Sequence, residues 1–177
     1  MRLVFCTPFK PLRHPRLSGD VTIARDIYLF LRAQGHEVLL APTLITTWIW
    51  LKPWRWPWLL VCIWRTLRLV LRERPQLWLT YHSYYKAPDI LGPLAKRLGV
   101  PYAIFAGSYA DYRKRSPRAF TGYMLNRRAL SRADLHIANK KRDYAHLKPL
   151  IPEERLLSIP PGIRTENFTF SASQRER

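Results

Sequence analysis

Apolar residues along this chain follow two alternating patterns: short unbroken runs, and longer stretches in which an apolar residue returns every three or four positions. Leu3-Val4-Phe5-Cys6 is the first run, closed by Thr7 and Pro8, as expected of a strand buried on both faces of a parallel sheet. A proline-punctuated loop over 8–19 leads to Asp20, which the pattern makes the N-cap of a helix. Ile23, Ile27, Phe30 and Leu31 then recur on one helical face, and Gly35 stops it. A second strand over 37–41 begins two residues later.

The same grammar continues downstream. Leu77–Tyr81 reads as a strand, Leu91, Leu94, Ala95 and Leu98 as a helical face with Gly99 as its stop, and 101–105 as the next strand. Ser116-Pro117 opens a helix running to about Arg132, since proline at the first helical position gives up only an N–H that has no partner there. Leu135–Ala138 is a strand, Lys141–Leu147 a short helix, and 155–159 a last strand before the turn Pro160-Pro161-Gly162. Strands alternating with helices predict an α/β fold: a Rossmann-like, doubly wound parallel sheet with helices on both faces. The 177 residues suit a single domain, which usually takes roughly 100–200.

One segment departs from this rhythm. Between Trp48 and Trp64 lie six of the seven tryptophans, interrupted by Lys52, Pro53, Arg55 and Pro57, so the segment falls short of the ~20 apolar residues that cross a bilayer. Tryptophan favours the headgroup region, and nearby cations are drawn to anionic lipid; Trp54, Trp56 and Trp58 are therefore candidate membrane contacts on a proline-tryptophan loop. In the helix that follows, Leu59, Ile63, Leu67, Val70 and Leu71 are placed to pack on the sheet, with Arg65, Arg68 and Arg72 as a basic stripe.

Composition adds charge to this picture. Hydrophobic residues make up 47% and aromatics 13%, the composition of a folded chain. Thirty Lys and Arg against twelve Asp and Glu give +18, which concentrates anionic partners at the surface. Cys6 and Cys62 are the only cysteines and both fall in apolar runs, so no disulfide framework is expected. The N-terminus lacks the order of a signal peptide, which places the chain in the cytoplasm, peripheral on the inner-leaflet surface.

Six short motifs, in order, resemble the N-terminal, acceptor-side domain of GT-B, family 4 glycosyltransferases. They are the Gly19 loop; Gly35-His36-Glu37-Val38; Arg74-Pro75-Gln76-Leu77 leading to Tyr81-His82; Gly99-Val100-Pro101-Tyr102; Ala133-Asp134; and Pro160-Pro161-Gly162 with Phe168 beyond. The resemblance implies a domain over 1–168, with 169–177 a polar tail opening an interdomain linker. In such enzymes a second domain holds the nucleotide-sugar through two glutamates seven residues apart, a spacing this sequence lacks. The implied function is the acceptor-binding half of a retaining transferase, inactive alone, that moves a hexosyl group from a nucleotide-sugar to a lipid-linked or membrane-associated glycan of the cell envelope. The alternative is a non-catalytic docking and acceptor-binding subunit of a split transferase. The nucleotide-sugar would be a co-substrate; no cofactor, metal or nucleic acid is expected.

Residue by residue, the resemblance sets Gly19, Asp20 and Gly107 toward the donor diphosphate, and a glycine at a helix start does let backbone N–H groups approach an anion. His82, at the carboxyl end of a strand where open parallel sheets bind ligands, is the catalytic candidate: it either hydrogen-bonds acceptor or sugar hydroxyls or is a half-buried strand-end side chain. Asp20 and Asp111 are acceptor-hydroxyl candidates, against plainer roles as a cap and a solvated loop residue. Lys86, Arg113, Lys114 and Arg115, with Arg118, are basic loop residues suited to a phosphorylated acceptor, or else form a solvated charged face. Two positions depart from the family pattern: Ala106 stands where relatives carry a histidine, and Lys140 where they carry serine. Dinucleotide and P-loop glycine patterns, a nucleophile elbow and metal-ligand spacing are all missing.

Overall fold

A computed structural model describes residues 1–15 and 18–160. Pro161, Gly162, Phe168 and the tail from 169, to which the sequence reading assigned the turn, the domain end and the linker, lie outside the described residues. In chain order the elements are β1 (Arg2–Cys6), α1 (Gly19–Ala33), β2 (Glu37–Leu40), α2 (Trp56–Glu73), β3 (Leu77–Tyr81), α3 (Leu91–Arg97), β4 (Tyr102–Phe105), α4 (Pro117–Arg132), β5 (Leu135–Ala138), α5 (Lys141–Leu147) and β6 (Leu156–Ser158). The strands form one parallel sheet in the order β2-β1-β3-β4-β5-β6. This is the doubly wound, Rossmann-like sheet that the alternation of runs and periods predicts, with β2, β4 and β6 each shorter than the apolar run that signalled it.

Strand alternation divides the core in two. Leu3, Phe5, Leu79, Tyr81 and Ala103 pack under α1, while Val4, Cys6, Trp78, Tyr102 and Ile104 pack under α2, α3 and α4. Trp78 and Tyr102 are fully buried, and side chains of this size each remove roughly 150–250 Å² from water. Gly35 and Gly99 both sit at positive φ, +77° and +85°, just past α1 and α3, where a left-handed residue frees the chain to turn into the next strand.

Four details differ from the sequence-based expectation. Asp20 is not the N-cap of α1; Ser18 holds that position and Asp20 lies in the first turn, which frees its carboxylate to face His82. The buried stripe of α1 is Val21 and Ala24, flanked by Ile27, Tyr28 and Leu31, whereas Ile23 and Phe30 are exposed. Alanine at the centre lets the helix approach the sheet, and this rotates the larger side chains outward. On α2 the buried stripe is Cys62, Thr66 and Val70, and Leu71 is exposed. The helix also starts earlier than the proline-tryptophan loop implied, so Trp56 and Trp58 are helical.

Candidate functional site

β1 and β3 are neighbours whose chains leave in opposite directions, β1 toward β2 and β3 toward β4. Such a reversal opens a crevice at the carboxyl ends of the strands. His82 follows β3 directly at φ +63°, and Ala106 follows β4 at φ +56°. Side chains other than glycine's occupy this left-handed region at a cost of roughly 1–3 kcal/mol each. Here the neighbouring strands enforce it: the His82 N–H donates to the Phe105 carbonyl at 2.9 Å, and the Ala106 N–H to the Ile137 carbonyl at 2.8 Å. Two adjacent strands therefore end in the same strained exit, which turns both following loops over the sheet edge.

A polar network holds those loops. Ser83 Oγ accepts from the Asp89 N–H at 3.0 Å and donates to Asn126 Oδ1 at 2.9 Å, and Asn126 Nδ2 donates to the Ser108 carbonyl at 2.9 Å. The Ser108 N–H donates to the Ser83 carbonyl at 2.9 Å, and its Oγ to Asp143 Oδ1 at 3.1 Å. The β3–α3 loop, the β4–α4 loop, α4 and α5 are thus tied together around one opening.

That opening is a cleft of about 360 Å³ with Asp20, Tyr84, Asn139, Lys140 and Arg142 around His82, within the range of small-molecule sites. Phe9 stacks on the imidazole at 5.6 Å and Tyr84 meets it edge-on at 4.9 Å. His82 Nδ1 is 3.9 Å from Asp20 Oδ1. Burial pushes the His82 pKa below its ordinary value, Asp20 and Asp143 oppose this, and Lys140 and Lys10 reinforce it. The imidazole is therefore neutral at pH 7, with one nitrogen to donate and one to accept. Asn139 Oδ1 is a buried acceptor with no partner among the described residues. A neutral imidazole, an unpaired amide oxygen, aromatic walls and two cations suit a ligand with hydroxyls and a negative charge.

His82, Asp20, Ala106 and Lys140 are brought together at this cleft, with Gly19 one residue before Asp20 and open on its Cα side. Gly107 is turned inward, where an added Cβ would press on Ile104 and Leu130 at 3.0 Å. Arg113 lies over Tyr85 at 4.5 Å and Tyr112 at 4.6 Å, two rings that line the cleft. Lys86 is over the Tyr85 ring at 5.7 Å, Arg118 is over the Trp48 ring at 5.3 Å, and Arg115 is exposed. Lys114 pairs with Asp111 at 2.6 Å; that lysine and the hydroxyls of Tyr109 and Tyr123 hold the Asp111 carboxyl down at about 2. Sequence reasoning missed Phe9, Tyr84, Asn139 and Arg142. Asn139 alone had a signal, its place directly after a strand.

The model of glycosyltransferase family 4 matches residues 17–167. The chain belongs to that family. No curated protein sequence matches it. Among solved structures, S. aureus MnaA with UDP is similar over 88% of this chain, with a TM-score of 0.59 and 16% identity. The chain spans 43% of that protein's length, and the shared sheet is the fold of one half of a GT-B architecture. Among the described residues of this family 4 domain, no group of His, Cys, Asp or Glu is placed to hold a metal ion, and no helix is long and apolar enough to cross a membrane.

Proposed function

We propose that this chain is the acceptor-binding half of a retaining hexosyltransferase, which acts with a donor-binding domain across the cleft and transfers no sugar alone. The observation that carries the reading is the strained pair of strand exits, His82 and Ala106, opening beside a neutral imidazole at the switch point of a family 4 domain. The likeness to MnaA, whose structure holds UDP, supports a nucleotide-sugar as donor, its diphosphate approaching the open side of Gly19. In the retaining reaction the acceptor oxygen bonds the anomeric carbon as its bond to the diphosphate breaks, and the departing diphosphate takes the proton. Asp20 faces the imidazole and Asp143 accepts from Ser108, which suits a reaction without a protein base. Neutral His82 then orients a sugar or acceptor hydroxyl.

The acceptor in this reading is a glycan on a lipid diphosphate. Exposed Trp54, at 70%, with Trp56 and Trp58, supports contact with the inner-leaflet surface, and Arg113, Lys114 and Arg115 with Lys86 supply positive charge beside the cleft. The test is binding of a short-chain prenyl-diphosphate disaccharide to the purified chain. Arg113→Ser, Lys114→Ser and Arg115→Ser together should weaken it about tenfold, as loss of charge-assisted contacts implies. Equal affinity would remove these residues from the acceptor site, and single-turnover sugar transfer by the chain alone would overturn the division into halves.

A further inference from the structure

A second opening lies on the opposite side of the sheet from α1. α3 has 7 residues and sits between α2 and α4, which have 18 and 16. Over it runs a groove of about 210 Å³ floored by Ile63, Ile90, Pro93, Leu94 and Leu125. Arg97, Arg128 and Arg132 also line it, and among the described residues none of the three has an acidic partner. Burial and the charges of Arg128 and Arg97 hold the Arg132 pKa below its ordinary value, as expected where positive charges face one another unrelieved.

The groove has a direction. Asp89 lines it near the start of α3, but its carboxylate already accepts from Thr80 Oγ1, Tyr102 Oη and the N–H groups of Leu91 and Gly92. Arg97 ends the same helix, roughly 10 Å further along at 1.5 Å per residue. An anion is thus repelled at one end and held at the other, with apolar surface between.

We propose that this groove binds an anionic phospholipid, its phosphate on Arg97, Arg128 and Arg132 and an acyl chain along Leu94, Pro93 and Ile63. Charge complementarity supports this occupant: α2, α3 and α4 carry three, two and four basic residues against the single acid Glu73. The apolar surface is also continuous with the outside of α2. Leu67, Leu60 and Leu71 fall between Ile63 and Trp64 around the helix at about 100° per residue, and Leu60, Leu71 and Trp64 are exposed. A nucleic acid would need a longer row of cations and rings for stacking, and among the described residues no aromatic lines this groove.

The 177-residue chain should be titrated with dihexanoyl phosphatidic acid, dihexanoyl phosphatidylcholine and inorganic phosphate while the amides of Leu94, Arg97 and Arg128 are followed by NMR. Phosphatidic acid should shift them saturably, with phosphatidylcholine and phosphate at least about tenfold weaker, because either alone supplies only part of the contact. The triple variant R97S/R128S/R132S should lose about tenfold, and Arg128→Ser alone, at an exposed position, a smaller part. Binding of the prenyl-diphosphate disaccharide should be unchanged in both variants, which separates this site from the strand-end cleft. Equal shifts with both lipids, inorganic phosphate binding as tightly as phosphatidic acid, or wild-type binding by a folded triple variant would overturn the assignment.

Discussion

Asp89→Ala should destabilise the domain by about 3–5 kcal/mol, because a buried donor left without an acceptor costs roughly 1–3 kcal/mol and this carboxylate serves four. Asp89 is 2% exposed. Thr80 Oγ1 donates to it at 2.5 Å and Tyr102 Oη at 2.8 Å, while the Leu91 and Gly92 N–H groups donate at 2.9 and 3.0 Å and so cap α3. Thr80 Oγ1 in turn accepts from Trp78 Nε1 at 3.1 Å, so the loss spreads to the largest side chain in the core. Burial raises the Asp89 pKa against the pull of these donors. Asp89→Asn keeps an oxygen for the two N–H groups, and its amide can donate to the hydroxyls if they rotate; it should cost about 1–2 kcal/mol. Urea midpoints at constant slope measure both. A loss under about 1 kcal/mol for Asp89→Ala would show that the four donors find other acceptors. The expected loss of about 3–5 kcal/mol is a large part of the roughly 5–15 kcal/mol a domain usually has.

The second large effect is acid instability centred on His136. This ring is fully buried, with Nε2–H donating to the Leu130 carbonyl at 2.8 Å and Nδ1 without a partner among the described residues. Protonation would place a second N–H where nothing accepts it, and burial holds the pKa down at about 4. An unfolded histidine titrates near 6.5, so below that pH the unfolded state binds a proton the native state refuses. Stability is therefore full above about 6.5 and lost as pH falls toward 4, by about 3 kcal/mol in all. His136→Gln keeps an N–H for Leu130 and cannot titrate. Urea midpoints measured across that range should fall steeply for the wild type and much less for the variant; parallel curves would assign the acid loss elsewhere.

The sheet was legible because its strands are buried on both faces and so appear as continuous apolar runs, as in Leu77–Tyr81, whose bounds the structure reproduces. Helix rotation was less so. In α1 the sequence offers Phe30 and Ile23 as core candidates, but close approach to a sheet selects Ala24, and periodicity does not weigh side-chain size. His82 could be found because a strand end is a position, readable from the run before it. The left-handed exits at His82 and Ala106 carry no mark in the sequence, since neither is glycine; they arise from bonds to neighbouring strands. Tyr84 comes from the β3–α3 loop, and Asn139 and Arg142 from the turn into α5; only the strand order brings these two segments together. The groove over α3 was hidden for the same reason: Arg97, Arg128 and Arg132 are unremarkable helix-end cations until the two helices lie side by side.

In the proposed function the acceptor sits at the carboxyl edge of β3 and β4, beside His82. Amide chemical-shift mapping of the chain titrated with the prenyl-diphosphate disaccharide tests it most directly. The largest saturable shifts should fall at His82, Ala106, Ser108 and Asn139, and should be lost in His82→Ala with the fold intact. Shifts confined to the α3 groove, or an undiminished map in His82→Ala, would contradict it.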